Sequence, residues 1–153
     1  MTRPATPPDL RLEMLSQPRF LTAARAMVGQ LAQRLGFNEK QAGLISLAID
    51  EALCNVINHG YQRRPDGPIV LNLWAVDPAS GGPGLRVLIE DRARAVDPCT
   101  IRSRNLDEIR PGGLGVHIIR EVMDEVTYEK REGGGMRLLL YKRVPSGDAG
   151  GKE

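Results

Sequence analysis

The chain has 153 residues, with 21 Lys and Arg against 19 Asp and Glu for a net charge of +2, 41% hydrophobic residues and only 4% aromatic ones. These values describe one soluble globular domain and leave no room for two modest ones. The two cysteines, Cys54 and Cys99, lack paired C-x-x-C spacing, which excludes a zinc site or a secreted disulfide framework, and the scattered basic residues make nucleic acid no default partner.

Residues 1–9 are Pro-rich and polar, without the apolar run of a signal peptide, and no stretch approaches the roughly 20 apolar residues of a membrane span. A cytoplasmic protein with a flexible N-terminus and no membrane partner is expected. Leu10 to Leu15 alternates apolar and polar, as a short edge strand does, before Pro18 changes the register. From Arg19 to Leu35 the apolar positions recur three or four apart and Gly36 stands at the expected helix end. Asn38 can cap a second helix running through Ala42, Ile45, Ile49, Leu53 and Ile57 to Gly60. Ile69 to Val76 and Leu85 to Glu90 read as paired strands joined across the Gly and Pro of residues 77–84. Asp91 to Gly115 has no sustained period, a loop length that is usually functional or mobile. Helical spacing resumes from Val116 to Met123, followed by strands at Val126 to Lys130 and Met136 to Tyr141 across Gly133 to Gly135.

The domain is therefore expected over residues 10–143, with a disordered tail at 144–153. Hairpin-linked strands beside helices predict an α+β, two-layer sandwich: a mixed, largely antiparallel sheet covered on one face. The βαβ alternation of a dinucleotide fold and the G-x-x-x-x-G-K-[ST] phosphate loop are both missing.

Three constellations carry chemistry. Glu51, Asn55 and His59 fall four apart on one face of the second helix, with Asn58 beside them; the plain alternative is the polar side of an amphipathic helix. Arg110-Pro-Gly-Gly-Leu-Gly-Val-His runs a glycine-rich segment straight into a helix. Gly112, Gly113 and Gly115 permit close approach of an anion, and a helix N-terminus at Val116 adds free N–H groups and the positive end of the dipole. Ile89-Glu90-Asp91 ends an apolar strand in carboxylates, which suits either a turn or an acceptor for an exocyclic amine. His117 reads as a surface or half-buried side chain. Arg92, Arg94, Arg102 and Arg104 read either as a solvated face or as contacts to nucleotide or an acidic partner.

In order and spacing these elements resemble the anti-sigma-factor serine kinases, a bacterial branch of the histidine-kinase-like (GHKL) ATPase superfamily. Glu51-Ala-Leu-Cys-Asn55-Val-Ile-Asn-His59-Gly-Tyr61 is similar to that family's asparagine box, and Ile89-Glu-Asp91 to its adenine-binding strand end. Arg110-Pro-Gly-Gly-Leu-Gly115 is similar to its phosphate-lid glycine box, and Met123-Asp-Glu-Val126 to the segment after the lid. The likeness spans Leu10 to Lys142. It implies a Bergerat-type fold that binds ATP with Mg²⁺ and phosphorylates a serine on an anti-anti-sigma (STAS) domain. It also implies a sigma factor as partner and a homodimer. By the same resemblance Glu51 is the general base, Asn55 the Mg²⁺ ligand and Asp91 the adenine acceptor. Arg110, Gly112, Gly113, Leu114, Gly115 and Val116 would surround the phosphates, and His59, Ala95 and Val96 complete the nucleotide-contacting set. The histidine-bearing dimerisation helices of sensor kinases are missing.

The chain departs from the superfamily's Asp-x-Gly-x-Gly by reading Asp91-Arg-Ala93-Arg-Ala95, and Met136 replaces the usual threonine after Gly135. If the two alanine positions require positive φ, each Cβ adds strain of about 1 kcal/mol. That departure motivates a second reading, a non-catalytic nucleotide-binding or nucleotide-independent protein-interaction switch of the same fold. A nucleic-acid module built on the Arg-rich loop is the third.

Overall fold

The computed structural model describes residues 3–94 and 113–146. In chain order these form β1 (Leu10–Leu15), α1 (Leu21–Leu35), α2 (Glu39–Asn55), β2 (Pro68–Val76), β3 (Gly84–Asp91), α3 (Gly113–Val122), β4 (Glu125–Lys130) and β5 (Met136–Arg143). The strands make one sheet in the order β1-β2-β3-β5-β4. Every pairing is antiparallel, so the two-layer α+β expectation holds and the mixed character expected of the sheet is corrected. The physical reason is connectivity: the short links between β2 and β3 and between β4 and β5 can only return a strand antiparallel.

Alternation along the strands separates the two faces. Ile69, Leu71, Leu73, Leu85, Val87, Ile89, Leu138 and Leu140 belong to the main core with the helices. Trp74, Leu88 and Leu139, of the other parity, form a small separate cluster on the opposite face. Onto the main face α1 packs Ala24, Val28 and Ala32, and α2 packs Ile45, Ala48, Ile49, Ala52 and Leu53, all at most 2% exposed. Each Ile or Leu so buried stabilises the fold by roughly 1.5–3 kcal/mol. The small residues bring the helices close: a Cβ on Gly29 of α1 would lie 2.8 Å from Ser46 Oγ of α2.

Local signals set the helix ends. Gly36 closes α1 in the left-handed conformation, φ 111°, its N–H donating to the carbonyls of Ala32 and Gln33. Asn38 opens α2 with a reciprocal capping box, since Gln41 N–H donates to Asn38 Oδ1 and Asn38 N–H to Gln41 Oε1, both at 2.8 Å. Pro18 starts a 3₁₀ turn through Phe20, which delays α1 to Leu21. α2 continues past Asn55 as a π-helical turn over Val56–Gly60. α3 begins at Gly113 and not at Val116, because the glycines read as the end of a loop form its first turn. Ahead of β1, Asp9 N–H donates to the Leu73 carbonyl, and Trp74 Nε1 donates to the Thr6 carbonyl at 3.0 Å. Among the described residues no helix is long and apolar enough to cross a membrane.

Candidate functional site

The stripe of α2 that faces the sheet leaves Glu51 and Asn55, one turn apart, half-buried at its margin. α3 packs against α2, and the contact point is a glycine. A Cβ on Gly115 would lie 2.7 Å from Glu51 Oε2 and 3.6 Å from Asn55 Oδ1 and Nδ2. Two constellations far apart in sequence therefore meet. The first turn of α3, whose N–H groups have no intrahelical acceptor and whose dipole end is positive, stands beside the carboxylate and amide of α2. Val116 follows, buried. Cys54 is half-buried here, and its thiol is pushed up by burial and then by the Asp50 and Glu51 carboxylates, against the pull of Arg25.

His59 and Asn58 lie exposed in the π-helical turn. Such turns insert one residue into the ladder and recur at functional sites. His117 of α3 is half-buried and pairs with exposed Glu121 at 3.6 Å.

The end of β3 supplies the other part of the site. Strand parity sends Asp91 to the helix side and Glu90 to the opposite face, so the two carboxylates expected together serve different surroundings. Glu90 is 6% exposed and ion-paired with Arg131 and Arg137, each at 3.4 Å. Asp91 is 5% exposed. Its Oδ1 accepts from Ala93 N–H at 2.9 Å and Met136 N–H at 3.2 Å, and its Oδ2 accepts none among the described residues. Burial raises the Asp91 pKa, with those two N–H groups and the Arg131 guanidinium opposing. Arg131 Nη1 donates to the Asp91 carbonyl at 2.7 Å, and Gly135, φ 99°, packs so tightly that a Cβ would sit 2.0 Å from that carbonyl oxygen.

Ala93 answers the question raised by the missing glycine. Among the described non-glycine residues only Gln62 and Arg63 have positive φ, so Ala93 occupies its place without left-handed strain. Its methyl is buried over Gly60, where a Cβ would approach it to 3.1 Å. Met136 reaches Asp91 through its backbone N–H, which any non-proline residue would supply. Ala95, Val96, Cys99, Arg102, Arg104, Arg110 and Gly112, with most of the long loop and the tail from 147, lie outside the described residues; of Gly113 and Leu114 only the helical backbone is described.

Three contributors escaped the sequence reading as site residues: Tyr61, Arg131 and the Met136 amide. Tyr61 carried a signal, an aromatic directly after the asparagine box in a chain with only 4% aromatic residues. Met136 was marked only as the residue that follows Gly135, and Arg131 carried no signal, since it reaches Asp91 from the turn between β4 and β5.

Comparison with known proteins agrees with this fold. The family model of the histidine kinase-like ATPase domain matches residues 14–142. The chain is 23% identical over 140 residues to the serine-protein kinase RsbW of Oceanobacillus iheyensis, covering 86% of this chain and 85% of that one. It is 22% identical over 141 residues to the serine-protein kinase RsbW of Bacillus subtilis, covering 86% and 84%. Among solved structures, the RsbU and RsbW domains of Rv1364c from Mycobacterium tuberculosis match in fold with a TM-score of 0.63 at 20% identity, over 91% of this chain and 33% of that one. The Erythrobacter litoralis EL346 blue-light activated histidine kinase matches with a TM-score of 0.52 at 22% identity, over 81% and 42%. The resemblance to the anti-sigma-factor serine kinases thus extends to curated relatives of nearly equal length, and with a family match across residues 14–142 this chain belongs to the histidine kinase-like ATPase domain family.

Proposed function

We propose that the chain is an ATP- and Mg²⁺-dependent protein-serine kinase that also captures a sigma factor, its substrate a serine of a small anti-anti-sigma (STAS) domain. The observation that carries the reading is the meeting of Glu51 and Asn55 with the first turn of α3 at Gly115. Buried Asp91, at the end of the same sheet, supports a base-recognition role.

In this reading Asp91 accepts a hydrogen bond from the adenine amino group on Oδ2, while the Ala93 and Met136 N–H groups hold Oδ1. The amides of the first turn of α3 receive the phosphates, with Gly115 allowing them to approach α2. Asn55 fits a magnesium site of the usual kind, in which one or two protein oxygens share the ion with substrate phosphates and water. Among the described residues no cluster of three or more His, Cys, Asp or Glu suits a metal held by protein alone. Bound there, Mg²⁺ would offset charge on the transferring phosphoryl group. Glu51 takes the proton from the substrate serine as its Oγ forms the bond to the γ-phosphorus, and the bond to the ADP oxygen breaks with the electron pair leaving on ADP. His59, Ala95, Val96, Arg110, Gly112, Gly113, Leu114 and Val116 remain the nucleotide-contacting set proposed from the family.

The unstrained backbone of Ala93 weakens the case for a switch without nucleotide. The test is transfer of the γ-phosphoryl group of ATP to a STAS-domain serine. Glu51→Ala should lower kcat by about 10²–10⁴-fold with nucleotide binding retained, as loss of a general base requires. Transfer at the wild-type rate in that variant would overturn the assignment.

A further inference from the structure

Among the described residues, Tyr61 makes contacts that this chemistry does not use. It is 4% exposed. Its hydroxyl donates to the Pro68 carbonyl at 2.6 Å and accepts from the Arg92 N–H at 2.8 Å. The β2–β3 register makes this arrangement specific. Ile69 pairs with Asp91, so Pro68 and Arg92 are the next pair outward. The phenol oxygen stands between them, replacing the end of the ladder with a relayed bond. The chain beyond Asp91 is thereby released from β2 and turns back, bringing the Ala93 N–H to Asp91 Oδ1 at 2.9 Å.

Other groups hold the ring in place. Tyr61 N–H donates to the Val56 carbonyl at 2.8 Å, closing the π-helical turn that follows Asn55. A Cβ on Gly67 would fall 2.5 to 2.6 Å from the ring carbons, so only glycine fits beneath it. Between them Gln62 and Arg63 adopt φ of 51° and 63°. Left-handed backbone without glycine is unfavourable and persists where surrounding structure over-determines it. Ser16, fully buried, supplies that restraint by donating to the Arg64 carbonyl and accepting from Gly67 N–H at 2.9 Å.

We infer that Tyr61 is a positioning residue for base selection: its hydroxyl, wedged between Pro68 and Arg92, sets the Asp91 carboxylate and ties it to the helix that carries Glu51 and Asn55. This rests on the nucleotide reading above. It makes the π-helical turn a mechanical link between the phosphate end and the base end of one ligand.

Titration calorimetry of the full chain with Mg²⁺ and either ATP or inosine triphosphate, whose base has a carbonyl in place of the amino group, tests the inference. The proteins are wild type, Tyr61→Phe, Asp91→Asn and the double variant. Tyr61→Phe keeps the ring over Gly67 and loses both hydrogen bonds. ATP affinity should fall about tenfold in that variant while inosine triphosphate changes less than about twofold, so that discrimination is lost. The double variant should bind ATP within about twofold of Asp91→Asn alone, because residues acting as one unit are not additive. Equal losses for the two nucleotides, additive losses in the double variant, or a Tyr61→Phe chain without folded circular dichroism would overturn the inference and make the hydroxyl structural. Wild-type protein that binds neither nucleotide would instead overturn the nucleotide reading on which the inference rests.

Discussion

Asp91 combines three properties in one side chain: near-complete burial, two N–H donors on one oxygen and a second oxygen with no donor among the described residues. Burial raises its folded pKa above the ordinary 3.8. As pH rises the unfolded chain loses this proton first, so the stability associated with Asp91 is complete below 3.8 and is lost as pH passes through the folded value. Asn at this position stays neutral and keeps an oxygen for Ala93 and Met136. Urea unfolding should therefore find Asp91→Asn more stable than wild type at neutral pH, with the difference vanishing below 3.8. The same variant should lose at least about tenfold in ATP affinity, since an amide nitrogen or a mispaired oxygen replaces the acceptor. Stability and binding then move in opposite directions, as they do where a site holds a strained or desolvated group.

Between elements, the decisive contact is α2 against α3 at Gly115. Its φ is helical, so alanine is conformationally acceptable and favours the helix by up to about 1 kcal/mol. The new methyl would nevertheless meet Glu51 Oε2 at 2.7 Å, and the flexible carboxylate must move. Gly115→Ala should leave the melting temperature unchanged or raised while phosphoryl transfer falls roughly 10- to 100-fold, the scale of an ångström-sized misplacement. Thermal unfolding monitored by circular dichroism, paired with the transfer assay, checks both signs. The elements themselves were largely legible: Asn38 and Gly36 marked helix ends, alternation marked the first strand, and apolar runs bounded by Gly- and Pro-containing turns marked the others. The π-helical turn was not, because its five residues keep the apolar spacing of the preceding helix. The start of α3 was misplaced because glycine propensity argues for loop, whereas packing of Gly115 on Glu51 rewards helix.

At the scale of the whole molecule, the proposed site draws on α2, α3 and the end of β3, so a nucleotide bound there would bridge elements far apart in the chain. Anything that binds only the folded state stabilises it by about 2.7 kcal/mol at a hundredfold excess over Kd. For a chain of this size that corresponds to a rise of roughly 5–10 °C in melting temperature. ATP with Mg²⁺ should produce this shift in wild type and little of it in Asp91→Asn. A scanning calorimeter reads both, and an equal shift in the two proteins would remove Asp91 from the binding site. Of that site the sequence made Glu51, Asn55 and Asp91 legible as residue types at suggestive spacings, but not their relation to one another.

What the sequence determined by itself was the class of fold and the polar face of α2, because helical and strand periodicities are local and need only neighbouring residues to be read. Convergence, by contrast, came from the folded chain: Gly115 on Glu51, the Met136 amide on Asp91, and Tyr61 between Pro68 and Arg92. Those contacts follow from sheet register and from the angle at which α3 meets α2. Neither quantity resides in any short stretch of chain, since both are set by how the whole apolar core closes.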